Sequence, residues 1–183
     1  MLAKRTPRPE TPAMAVRPLA TVPRAGAAPA DALLHPAMLL ALGLLILNDH
    51  VLKAAYPGAV TGKLSDLAGL AFFPILLVGA WEIVLAVTGS WRGPGNGALA
   101  VAVGSSAAVF ALVKTWPVAA QAFAWGLGLA QWLLTLPARL LDGAPLPPVV
   151  ATVVVVDPTD LVALVALAIP TWIGMERARA ERA

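Results

Sequence analysis

Stretches of about 20 mostly apolar residues, the length a helix needs to cross a bilayer, begin near Leu33, Leu64, Gly97 and Thr159, and a more mixed run spans Val118 to Leu136. No other feature of the 183-residue chain restricts its fold as strongly. In lipid every backbone polar group of such a run must be satisfied within the chain, which leaves helices as the available structure. With 59% hydrophobic and 13% charged residues, the chain is far more apolar than the roughly 45–50% of a soluble domain. The sequence therefore predicts an all-α membrane protein of four transmembrane helices, or five if the mixed run also crosses. There is no cysteine, which excludes disulfides, thiolate metal sites and a cysteine nucleophile.

The basic residues orient the chain. Residues 1–31 carry Lys4, Arg5, Arg8, Arg17 and Arg24 among prolines and alanines, too little apolar surface to order itself, so they read as a disordered cytoplasmic tail. Residues 32–176 form the helical domain, and 177–183 a short basic tail. With four spans, the five N-terminal cations, Arg92, Arg177, Arg179 and Arg182 lie on one side, nine in all, against Lys53, Lys63, Lys114 and Arg139 on the other, four. A fifth span changes that tally to seven against six. Cytoplasmic loops are enriched in Lys and Arg, so four spans with both termini inside fit better. Arginine outnumbers lysine, and alanine, valine and proline abound, which fits a GC-rich bacterial genome and a bacterial inner membrane. The net charge of +3 is split between tails and loops and is no nucleic-acid footprint. The bilayer is the expected partner, with a homo-oligomer or a membrane subunit as further possibilities.

The mixed run then needs another place. Gln121, Trp125, Gln131 and Trp132 suit a wet boundary, and Pro117 and Pro137 bracket them. An interfacial or re-entrant helix on the outer side is the expectation, since tryptophan favours the headgroup level. Asp142-Gly143-Ala144-Pro145 and Gly89 to Gly97 are turns, and Val149 to Val156, rich in β-branched residues, reads as a short extended segment. Gly104, Ser105 and Ser106 let helices approach closely in span three, which is packing rather than a site. Pro74 and Pro170 lie within spans two and four.

The few charges sit at the edges of the apolar runs. Asn48, Asp49, His50 and Lys53 end the first span, Lys63, Ser65 and Asp66 open the second, Lys114 ends the third, and Asp157 and Asp160 open the fourth. Ionisable groups near a bilayer are costly unless paired or hydrated, so their convergence on one side points to a shared polar site. Each group also has a plainer role. Asp157-Pro158-Thr159-Asp160 is a helix start, with Asp as cap, Pro at the first position and an acid in the first turn. Asp66 falls near the start of the second run, where it would complement the helix dipole. Asp49 opposes the dipole at a helix end and needs compensation, for which Lys53 is four residues away. Glu82 is about 24 Å along the helix from Asp66 at 1.5 Å per residue and cannot join the cluster. A protonated packing group, a partner for Arg92 and a step in a proton path are its three readings.

Three functions fit such a cluster: binding or transport of a small ligand, ion or lipid headgroup; a metal-assisted enzyme acting on a lipid or envelope precursor; and a structural subunit whose polar edges cap helices. Binding or transport leads, and no enzymatic role is assigned. Asp49, His50, Asp66 and Asp160 are ligand types that suit a divalent cation, although no tight metal motif occurs and no cofactor is predicted. The segments Leu47-Asn48-Asp49-His50-Val51-Leu52-Lys53, Thr61-Gly62-Lys63-Leu64-Ser65-Asp66-Leu67-Ala68-Gly69-Leu70 and Asp157-Pro158-Thr159-Asp160-Leu161 resemble those of small bacterial multi-pass membrane proteins of no assigned activity. The layout is also distantly similar to VanZ-like proteins, which are linked to glycopeptide resistance. Those proteins follow the second-span Asp with Lys and His, where this chain has Leu67, Ala68 and Gly69, so the resemblance implies a layout and no catalytic roles.

Overall fold

The computed structural model describes residues 27–143 and 145–180, and among them the chain is helical with no strand. After a short 3₁₀ turn at Asp31–Leu34 come α1 (Pro36–Ala55), α2 (Ala59–Val87), α3 (Asn96–Thr115), α4 (Pro117–Leu141) and α5 (Pro158–Ala180). Four of these, α1, α2, α3 and α5, are long and apolar enough to cross a membrane.

Local chemistry sets the helix ends. His35 stands before Pro36 with its imidazole Nδ1 accepting from the Ala37 amide at 3.2 Å, and Pro36 supplies a preset φ at the first helical position. α3 stops at Thr115 because Trp116 precedes Pro117 and is pushed to extended geometry (φ −125°, ψ 112°), as the residue before a proline must be. α4 then starts at that proline. Asp157 caps α5 by accepting from the Thr159 amide at 2.9 Å. The first ten residues of α5, Pro158–Leu167, wind as a 3₁₀ helix, in which side chains three apart eclipse one another. Asp160, Ala163 and Ala166 therefore stack on one edge, and all three are buried.

α2 is the centre of the bundle, with α1, α3 and α5 packed around it and α3 also against α5. One half of the core holds Met38, Ile75, Val78, Leu99 and Ile173, the other Ala41, Leu70, Ala71, Ala163 and Leu167. Pro74 and Pro170 are among the most fully buried side chains. The outward faces are apolar as well: Leu40, Val60, Val101 and Val165 are exposed, a pattern of helices apolar on all sides that belongs to lipid rather than water.

α4 stands apart. Among the helices its substantial contact is with α3, and its small face, Ala120, Ala124 and Gly128, is buried under residues 145–157, which are neither helix nor strand. Thr152 donates its amide to the Ala124 carbonyl at 3.1 Å, and Trp132 Nε1 donates to the Pro147 carbonyl at 2.7 Å. A β-carbon on Gly128 would fall on the Val150 carbonyl oxygen, so only glycine lets the segment lie this close.

Several expected boundaries move. α2 begins at Ala59 rather than near Leu64, and α5 continues through Arg177 to Ala180. Of the expected N-terminal tail, residues 1–26 lie outside the described residues, whereas Ala28, Ala30 and Asp31 are held against the bundle by Glu82 and Arg177. Residues 181–183 of the C-terminal tail also lie outside them.

Candidate functional site

The antiparallel bundle gathers charge at both ends. At the end formed by the C-terminal part of α1, the start of α2, the end of α3 and the start of α5, Lys114 Nζ lies 2.7 Å from Asp160 Oδ2 and 2.8 Å from Asp66 Oδ2. Lys63 Nζ donates to Asp160 Oδ1 at 2.6 Å and to Thr159 Oγ1 at 2.7 Å, and stands 3.9 Å from Asp157 Oδ2. The side chains of Lys114 and Asp160 are only 12% and 10% exposed, which is tolerable because each charge is matched. Removing one partner from such a pair leaves a buried charge uncompensated, at a cost of about 3–5 kcal/mol. Lys114 also lies 5.5 Å from the Phe110 ring centroid, within range of a cation–π attraction.

Asp160 therefore faces the bundle and not its own backbone, whereas Asp157 is a cap. The Thr159 hydroxyl, at 2.8 Å, and the Thr159 amide hold the Asp157 carboxyl below its ordinary range. The expected dipole role of Asp66 is corrected: with α2 starting at Ala59, Asp66 lies two turns inside the helix and its partner is Lys114. The apolar run, which begins near Leu64, hid this, because the backbone is already helical from Ala59.

The α1 motif divides. Residues Asn48–Leu52 form a π-helical turn, a distortion common at functional sites. Asn48 is fully buried, and its Nδ2 donates to the Thr61 carbonyl and to Ser65 Oγ, both at 2.7 Å. Ser65 Oγ donates to Asp49 Oδ1 at 2.5 Å, and Lys53 supplies the expected partner to Asp49 at 2.7 Å. His50 is exposed and has no hydrogen bond or ion pair among the described residues. Successive residues on a helix point about 100° apart, so three neighbours cannot all face one site.

No group of three or more His, Asp or Glu that could hold a metal ion occurs among the described residues. The set Asp49, His50, Asp66 and Asp160 is split, with the Lys114 ammonium standing between the two carboxylates that come closest to such a site.

Behind the cluster lies a cavity of about 860 Å³, within the roughly 300–1,000 Å³ typical of ligand pockets. Its floor carries Asp66, Lys114, Asp157 and Asp160, with Lys53 also on its lining. One wall is a single face of α2, in which Gly62, Ser65, Gly69, Phe73 and Leu77 recur at spacings of three and four after Gly58 at the N-cap, the periodicity of a helix face. The facing wall is α3 from Ser105 to Lys114, and Phe123 of α4 with Val153, Val154 and Val155 completes the lining. Ser105 and Ser106, expected to serve packing alone, border the cavity. Their hydroxyls donate to the Ala102 carbonyl at 3.2 and 2.7 Å, so the wall they form is effectively apolar. The α2 face was legible in principle as a stripe of small residues at helical spacing.

Glu82, as expected, belongs to the other end. It is 3% exposed, accepts from Arg177 Nη1 at 2.6 Å and from the Ala30 amide at 2.8 Å, and Arg177 also pairs with Asp31. Its partner is thus Arg177 rather than Arg92, whose Nη1 donates within its own turn to the Gly89 and Trp91 carbonyls. No family model, curated protein or solved structure matches the chain.

Proposed function

We propose that this chain is a four-span protein of the bacterial inner membrane with its N-terminus in the cytoplasm, and that its outward end binds an amphipathic molecule, apolar portion in the groove and polar head at the charged cluster. The observation that carries this reading is the continuity of an apolar-walled cavity of about 860 Å³ with Asp66, Lys114, Asp157 and Asp160. A subunit whose polar edges merely capped its helices would need no such space behind them. The orientation rests on the sequence count for four spans, nine Lys and Arg on the side of the two termini and Arg92 against Lys53, Lys63, Lys114 and Arg139 on the other, since cytoplasmic segments are enriched in them.

In this reading α4 lies at the outer boundary. Its small face is covered by residues 145–157, and Trp125 and Leu129 are exposed on its remaining surface, an arrangement suited to the headgroup level. Orientation is tested with single cysteines at Leu141 and Ala180 in this cysteine-free chain. A membrane-impermeant thiol reagent added to intact cells labels Leu141→Cys and spares Ala180→Cys; the reverse pattern would overturn the outward placement.

Binding is tested through Gly69. This glycine lines the cavity, and a β-carbon there meets nothing within 4 Å, so Gly69→Leu fills the groove without disturbing the bundle. Purified Gly69→Leu protein is expected to retain much less co-purifying lipid or other amphiphile than wild type. Equal retention at equal folding would contradict the proposal.

A further inference from the structure

Inward of its charged cluster, the groove has the depth of one leaflet. Inward of the charged cluster its lining runs along α2 from Asp66 to Leu77, about 16 Å at 1.5 Å per residue, and along α3 from Lys114 to Ser105, about 14 Å, while outward of Asp66 it continues past Ser65 and Gly62 to Gly58. Both equal about half of the roughly 30 Å hydrocarbon core. A lipid chain lying with its head at the charged cluster would thus reach the bilayer midplane near Leu77 and Ser105, the innermost lining residues of α2 and α3, at the depth it occupies in its own leaflet.

The charged floor selects the head. Asp66, Asp157 and Asp160 face Lys63 and Lys114, and the rim pair Asp49 and Lys53 is neutral, so one carboxylate is in surplus. Both lysines are committed, Lys114 to Asp66 and Asp160 and Lys63 to Asp160 and Thr159. An incoming anion would meet no free cation at the floor and would be repelled by Asp66 and Asp157. An incoming ammonium would complete the charge balance and bring the donors those carboxylates accept.

From this complementarity we infer that the groove holds a membrane lipid whose head bears an ammonium group, taken from the leaflet at the cavity end. The inference rests on the proposed binding role and specifies its ligand. Its test uses the full-length protein in detergent, delipidated and offered equal amounts of dipalmitoyl phosphatidylethanolamine, dipalmitoyl phosphatidylglycerol and N-acetylated dipalmitoyl phosphatidylethanolamine, with retained lipid counted by native mass spectrometry. One charge-assisted hydrogen bond suffices for a preference of about tenfold, so the free amine lipid is expected to exceed both others by about that factor. Asp157→Asn keeps a good helix cap while removing the surplus charge, and it is expected to level the three lipids; Asp66→Asn provides a second, independent removal. Equal retention of all three lipids by wild type, abolished by Gly69→Leu, would overturn the ammonium inference and leave the binding role intact. A preference that survives both Asp variants would likewise overturn it. Retention indifferent to Gly69→Leu would overturn the binding role and the inference together.

Discussion

The two ends of the bundle carry similar charges arranged to opposite effect. At the Glu82 end, two carboxylates, Glu82 and Asp31, meet one guanidinium, Arg177, and the surplus is absorbed by backbone: the Ala30 amide donates to Glu82 at 2.8 Å and the Ala28 amide to Asp31 at 2.9 Å. At the other end three carboxylates meet two lysines, and backbone closes only one side of Asp157; the rest of the surplus borders a cavity. An excess carboxylate is therefore a tie for the chain where amides reach it and, in the proposed binding role, a group for the ligand where they do not. The first arrangement fastens residues 28–31 and α5 to α2. The second joins α2, α3 and α5 while leaving acceptor capacity toward a ligand.

Variants that separate fastening from binding test this contrast. The largest effects come from removing the central cation at either end. Lys114→Met and Arg177→Met are each expected to destabilise by about 3–5 kcal/mol, since each leaves carboxylates uncompensated at low exposure, as read from denaturant unfolding in detergent. Lipid retention should change only in Lys114→Met, where freeing Asp66 and Asp160 enlarges the carboxylate surplus beside the groove, measured where both variants stay folded; a change in Arg177→Met would erase the distinction between the ends. Glycine variants come next. Gly128→Ala forces Val150 away and is expected to cost about 1–3 kcal/mol, with faster limited proteolysis between residues 145 and 157. Gly69→Leu, opening onto the cavity, should change stability by no more than about 0.5 kcal/mol while emptying the groove. Lys53→Ala breaks an exposed i,i+4 pair and is expected to cost only a few tenths of a kcal/mol.

The smallest effect is the pH response of Asp157. Its carboxyl is held below its ordinary value of 3.8 by the Thr159 hydroxyl and amide. Because the folded value is lower than the unfolded one, its stabilising contribution is complete above 3.8 and disappears as pH falls through the folded value. Wild type and Asp157→Ala should therefore differ by a constant amount from pH 5 to 9 and converge in acid. A difference that changed within the neutral range would assign the carboxyl another partner.

The long apolar helices were legible because so apolar a run has few choices: four apolar runs became four helices long and apolar enough to cross a membrane, and the Asp157-Pro158 cap appeared where its residues demanded. Residues 145–157, with their proline pair and β-branched residues, are likewise outside any helix. Other features depend on contacts that local sequence does not encode. The start of α2 was hidden because Gly58 and Gly62 carry no apolar signal, although Gly58 stands at the N-cap and Gly62 is tolerated in a helix whose open face borders a cavity. Glu82 finds Arg177 across 95 positions, and nothing near Glu82 distinguishes that arginine from Arg92. The convergence of Asp66, Lys114 and Asp160 could be anticipated from four antiparallel spans, but the groove behind them depends on where residues 153–155 and Phe123 come to rest. His50 was grouped with Asn48 by adjacency, which a helix does not preserve in space.

Photocrosslinking locates a lipid chain most directly. Full-length protein would be reconstituted in phosphatidylethanolamine vesicles bearing a diazirine within the acyl chain, irradiated, digested and mapped by mass spectrometry. The account predicts adducts concentrated on Phe73, Leu77, Val109 and Phe123, and their loss in Gly69→Leu. Adducts confined to the outward faces, at residues such as Leu40, Val101 and Val165, would contradict it.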